Sequence, residues 1–144
     1  MLARLLVNLF GGIWSVREKC QNGILSAFYR FLYNYYQFEH GSAISHKAIF
    51  QTQASFPRGM KQIVISEYAK IGRNCVIYQE VTIDKDLSKN NQDKHAPNIG
   101  DDCLIYPGVK IIGNIKIGNS VILEANTVIT KDIQSGRRIS VSYV

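Results

Sequence analysis

Residues 99–133 read IGDDCLIYPGVKIIGNIKIGNSVILEANTVITKDI, and an aliphatic residue returns at every sixth position: Ile99, Ile105, Ile111, Ile117, Leu123 and Ile129. The same frame runs upstream through Ile65, Ile71, Ile77 and Ile83. A second column sits four residues later, with Ala69, Cys75, Val81, Cys103, Val109, Ile115, Val121, Thr127 and Ile133. Its members are small or β-branched, as a narrow interior demands. Ordinary sandwich strands alternate with period two and turn irregularly, whereas a sustained period of six marks a solenoid. Each unit supplies one short strand and one turn, and three units close one triangular coil. Gly72, Gly100, Gly113 and Gly118, with Asn74, Asn114 and Asn119, suit tight corners. Ile44, Phe50 and Phe56, also six apart, extend the frame to a weaker first coil.

The frame breaks between Ile83 and Ile99. The intervening DKDLSKNNQDKHAPN is polar and aperiodic, so residues 84–98 are expected as an extruded loop. A solenoid tolerates such a loop because neighbouring coils keep their contacts, and long loops on regular scaffolds often carry function.

Residues 2–38 have helical spacing instead. Leu2, Leu5, Leu6, Leu9, Phe10 and Ile13 share one face; Leu25, Phe28, Tyr29, Leu32, Tyr35 and Tyr36 share another. Gly11 and Gly12 weaken the first helix and Gly23 breaks the segment. The plain reading is packing against the rest of the chain. The alternative is an amphipathic element that makes peripheral contact with a membrane surface or a partner. The expected organisation is a helical segment at 1–41 and a solenoid at 42–144.

Hydrophobic residues make up 46% and charged residues 19% of the 144 positions, which supports a packed core and argues against disorder. The net charge of +6 suits a polyanionic ligand with phosphates. Lys and Arg are scattered along the chain rather than clustered, which argues against nucleic acid. Cys20, Cys75 and Cys103 lack metal-ligand spacing, and an odd count argues against a disulfide framework. They read as small apolar residues in a reducing, cytoplasmic setting, and no metal is expected. No stretch is long enough to span a membrane.

The hexads, the loop and the segment 99–133 together resemble the hexapeptide-repeat acyltransferases, in the serine acetyltransferase and polysaccharide O-acetyltransferase branch. The resemblance covers about residues 42–135. It implies an all-β solenoid, a left-handed parallel β-helix, assembled as a homotrimer. It also implies acetyl-CoA in the groove between neighbouring solenoids, and acetyl transfer to a hydroxyl of a sugar, a glycan precursor or serine. Such chemistry needs a general base for the hydroxyl proton and N–H donors for the developing oxyanion.

Family members carry the base in a motif similar to F-P-H-G-x-x-G-I-x-I-S. This chain reads FPRGMKQIVIS from Phe56 to Ser66, so Arg58 stands in place of the histidine. A guanidinium stays protonated and cannot act as an ordinary base near neutrality. Family loops often read D-R-H-P-x-I before the hexads resume; here DKHAPNI leaves His95 as the titratable candidate. The resemblance further assigns Gly108, Ala125 and Lys131 to cofactor binding: Gly108 in the turn Tyr106-Pro107-Gly108, Ala125 at a small position contacting CoA through backbone, and Lys131 near the nucleotide. Arg58 would then bind an anionic acceptor or a CoA phosphate. The competing reading of the same Arg58 is a catalytically impaired relative that serves as a binding or assembly module.

Overall fold

The computed structural model describes residues 2–86, 88 and 95–141. Three helices come first: α1 (Leu2–Leu9), α2 (Ile13–Lys19) and α3 (Ser26–Glu39). Two-residue and three-residue strands follow, and all of their pairings are parallel. Sheet A orders β1 (Ala43–Ile44), β3 (Val64–Ile65), β6 (Thr82–Asp84), β9 (Lys110–Ile112) and β12 (Val128–Ile129). Sheet B contains β2 (Ile49–Phe50), β4 (Lys70–Ile71), β7 (Asn98–Ile99) and β10 (Lys116–Ile117). Sheet C contains β5 (Val76–Ile77), β8 (Leu104–Ile105), β11 (Ile122–Leu123) and β13 (Arg138–Ile139). The chain visits A, B and C in turn, so the three sheets are the faces of a triangular β-helix.

Register follows from the hexads. Ile65 pairs with Ile83, Ile83 with Ile111, and Ile111 with Ile129, so identical inward positions stack coil upon coil. Ile65, Ile71, Ile77, Ile83, Ile99, Ile105 and Ile111 are each at most 1% exposed, as is the small column at Ala69, Cys75, Val81, Cys103, Val109 and Val121. Both columns predicted from spacing therefore form the core. The weaker first coil is present as β1, β2 and a bridge from Ser55 to Val76. The frame also runs further than residue 135: Ile133 bridges to Ile117, and β13 pairs with β11.

Corners alternate inward strands with left-handed turn residues. Asn74, Asp102 and Ser120 have φ of 55°, 57° and 55° at one corner, where short polar side chains tolerate that region. Of the segment 84–98 expected as an extruded loop, residues 87 and 89–94 lie outside the described residues. Its near end is tied down by the Gly113 N–H, which donates to Asp84 O at 2.9 Å.

The helices dock on the first coil. Trp14 packs on Phe50 and Phe56, with ring centroids 4.9 and 6.0 Å apart. Arg17 donates to Ala48 O, and the Ile44 N–H donates to the Gln37 side chain. The face expected for the first helix meets the core only in part: Leu6, Phe10 and Ile13 pack against it, while Leu2, Leu5 and Leu9 are exposed. Ala3 and Val7, outside that stripe, are buried instead. On α3 the buried residues are Leu32, Tyr33 and Gln37, while Phe28, Phe31 and Phe38 are exposed.

Candidate functional site

Two corners of the triangle carry the residues singled out from the sequence. Where sheet C turns into sheet A, the successive turns are linked by backbone hydrogen bonds. The Glu80 N–H donates to Lys61 O at 3.1 Å, Gly108 N–H to Gln79 O at 3.2 Å, and Asn126 N–H to Pro107 O at 2.9 Å. Glu80, Gly108 and Asn126 occupy equivalent left-handed positions, with φ of 62°, 73° and 61°. Gly108 is the tight member, because a Cβ there would run into Asn126 Oδ1. It is buried and its N–H is engaged, so its direct contribution is close stacking of two turns. Ala125, on the next turn, is exposed.

Arg58 belongs to the same corner. It is exposed in the turn that leaves the first coil, closed by the Gly59 N–H donating to Phe56 O at 2.9 Å. Two coil steps separate that turn from Gly108, or roughly 10 Å at the usual strand spacing. Between them, Tyr78 and Tyr106 stack at 5.5 Å with ring planes 12° apart.

The corner between sheets A and B carries His95 and Lys131. His95 is exposed and lines a cleft of about 190 Å³ with Tyr68, Lys70, Asn98, Asn114 and Lys116. A neighbouring cleft of about 390 Å³ is lined by Asp86, Ile112, Gly113, Asn114, Ile115 and Thr130. Lys131 is exposed one turn beyond, beside Asp132, whose Oδ1 accepts from the Lys116 N–H at 2.8 Å. Within one chain the structure thus brings Arg58, Gly108 and Ala125 to one corner and His95 and Lys131 to another. It does not bring Arg58 and His95 together.

Sequence reasoning did not single out Tyr68, Lys70 or Asn114 beside His95, or the tyrosine stack beside Arg58. The hexad register was the available signal, since it aligns residues 68, 96 and 114 on one corner and 78 and 106 on another. Arg138, on β13, donates from Nε to Glu124 Oε1 at 2.6 Å. His40 holds Tyr36 O at 2.7 Å through Nδ1 and stacks on the same ring. The three thiols are buried and so withheld from a substrate. Cys75, hydrogen-bonded to the buried Cys103 thiol and desolvated, is held well above the usual thiol range, and burial pushes Cys20 up.

Comparison with known proteins agrees with this geometry. The bacterial transferase hexapeptide (six repeats) family matches residues 96–131. A serine acetyltransferase of Staphylococcus aureus is 35% identical over 115 residues, covering 72% of this chain and 53% of that protein. One from Staphylococcus epidermidis is 42% identical over 73 residues, 51% of this chain and 33% of that protein. The crystal structure of a serine acetyltransferase isoform of Entamoeba histolytica, in complex with cysteine, superposes with a TM-score of 0.75 at 27% identity. It covers 99% of this chain and 49% of the other. The chain spans about half the length of the relatives it matches.

Proposed function

Since this chain belongs to the hexapeptide-repeat transferases of the serine acetyltransferase family, we propose that it transfers an acetyl group from acetyl-CoA to the hydroxyl of a small polar acceptor. The observation that carries this reading is the 35% match to a serine acetyltransferase across 72% of the chain, laid over the stacked hexads. In the proposed reaction His95 takes the acceptor's hydroxyl proton as its oxygen attacks the thioester carbonyl. Backbone N–H groups stabilise the oxyanion. Collapse then expels the CoA thiolate, which takes up the proton from His95.

A closed threefold assembly completes the site in this reading. The corner bearing Arg58, Gly108 and Ala125 of one copy faces the corner bearing His95 and Lys131 of the next. Ala125 then lies along the pantetheine arm, Gly108 keeps the turn beneath it flat, and Lys131 reaches the nucleotide. Arg58 binds a carboxylate or phosphate through its forked N–H groups. Serine, named in its relatives, is the first acceptor to test. A sugar hydroxyl is the second, from the likeness of residues 56–66 to the polysaccharide branch. Acetyl-CoA and reduced thiols together suit the cytoplasm. Among the described residues no helix is long and apolar enough to cross a membrane. The exposed Leu2, Leu5, Leu9, Phe31 and Phe38 are the face proposed for peripheral contact with a membrane or partner.

The impaired-relative reading rests on one observation, the exposed guanidinium of Arg58 where the family's histidine stands. The two are separated by following CoA thiol release from acetyl-CoA with serine and a panel of sugars, and identifying the product by mass. Acceptor-dependent release with an O-acetylated product supports the enzyme. Retained CoA binding without release for any acceptor supports the assembly module.

A further inference from the structure

The α2–α3 turn meets the first corner between sheets A and B around a cavity of about 350 Å³, lined by Cys20, Gln21, Arg30, His46 and Lys47. Among the described residues no carboxylate lines it. Gln21 Nε2 donates to His46 O at 3.0 Å and closes one wall. Arg30 donates one Nη1 hydrogen bond to Cys20 O at 3.4 Å, which leaves most of its five N–H donors unused. Lys47 pairs with Glu67 at 3.2 Å; Lys47 is exposed and Glu67 half-buried, and an ion pair so open to solvent is worth little.

A second observation lies just behind the wall. Arg17 is 6% exposed and contacts Ala48 O and the Trp14 and Phe50 rings. None of the ion pairs among the described residues includes it. A buried cation with only neutral partners is costly unless an anion lies nearby. The local charge shows at His46, whose imidazole is held below its ordinary pKa by burial first, then by Lys47, Arg30 and Arg17, with Glu67 opposing. Arg17 itself is held below its ordinary range by burial, with the Tyr33 hydroxyl, Cys20 and, last, Glu18 on α2 opposing.

We propose that this cavity is a binding site for a phosphate-class anion, held by Arg30, Lys47 and His46 and screened against Arg17. The three donors come from α3 and from the first corner, so a bound anion would also tie the helices to the solenoid. The site stands apart from the proposed acetyl transfer and is tested by binding alone. A bound dianion favours the imidazolium, so His46 rises in pKa on binding and affinity increases as pH falls.

The test follows the imidazole resonances of His40, His46 and His95 by NMR in the full chain, with His46→Gln for assignment. Sulfate is the first probe, because its charge is constant from pH 5.5 to 8. Saturable movement of His46 alone is expected, with tighter sulfate binding at the acid end. Arg30→Gln and Lys47→Gln should each weaken binding about tenfold or more, as loss of a charge-assisted hydrogen bond does. Both residues are exposed, and an unchanged His40 signal reports that the fold is kept. Inorganic phosphate and a hexose 1-phosphate then separate the sources: tighter binding of the first assigns a free-ion site, and of the second a site for a phosphorylated sugar. If His46 shows no saturable movement through the tens of millimolar, or the Arg30→Gln/Lys47→Gln double variant binds as the parent does, the proposal is overturned.

Discussion

Replacing Gly100 with alanine puts a methyl group where the next coil already is. The added Cβ would lie 2.7 Å from Gly118 C and 2.8 Å from Asn119 N, and against Asn119 Oδ1. Ordinary contact begins at 3.4 Å, so the shortfall from 2.7 Å is 0.7 Å. Two of the three atoms are backbone in a closed coil and cannot swing aside. The third already accepts the Asp101 N–H at 2.8 Å. Opening the coils by that amount would stretch this bond together with Gly100 N–H to Ile117 O and Ser120 N–H to Asp101 O, each now 2.8 Å. At about 1 kcal/mol net per bond, the loss is about 3 kcal/mol. For a chain of this size that lowers Tm by roughly 6–12 °C. Thermal unfolding followed by circular dichroism measures it. A Tm within about 2 °C of the parent would refute the stacking argument, since the methyl group would then have found space the register denies it.

His95→Ala should lower acetyl transfer roughly 10²–10⁴-fold while CoA binding, measured by calorimetry, stays near the parent value; an unchanged rate returns His95 to an exposed loop residue. Arg58→His is expected to weaken acceptor binding about tenfold or more, read as a rise in KM. A large gain in turnover instead would identify the natural chain as an impaired enzyme. Light scattering should give three times the 16.3 kDa chain mass, and a monomer at micromolar concentration would remove the shared groove. Asp101 is held below the usual carboxylate range by the Arg73 N–H at 2.8 Å and then by its guanidinium at 3.0 Å. A depressed carboxyl stabilises the fold above its unfolded pKa, and that contribution fades as pH falls through the folded value. Asp101→Asn should therefore flatten the acid side of the stability profile below about pH 4, and an unaltered profile would count against the pairing.

The sequence alone was enough to establish the solenoid, because each hexad carries its own inward isoleucine and corner residue within six positions. The spacing of Ile65 through Ile129 is a local property that stacking merely repeats. The interruption between Ile83 and Ile99 shows in the sequence as a gap in a regular frame, and residues 87 and 89–94 of that segment lie outside the described residues. Tertiary structure alone decided which face of α1 is buried. Leu2, Leu5 and Leu9 belong to the expected stripe with Leu6 and Phe10, yet only Leu6 and Phe10 pack on the helical cluster, where Val7 is buried beside Leu32 and Tyr33. It also decided that Arg17 is an unpaired cation beneath the first coil, and that Arg30, His46 and Lys47 share a cavity. Arg17 and Arg30 lie on helices while His46 and Lys47 lie in the first coil, and no periodicity records how a helical segment docks. The separation of Arg58 from His95 is of the same kind. Which corner a residue occupies follows from counting hexads, but whether two corners meet depends on a neighbouring solenoid, through surfaces whose complementarity is not periodic.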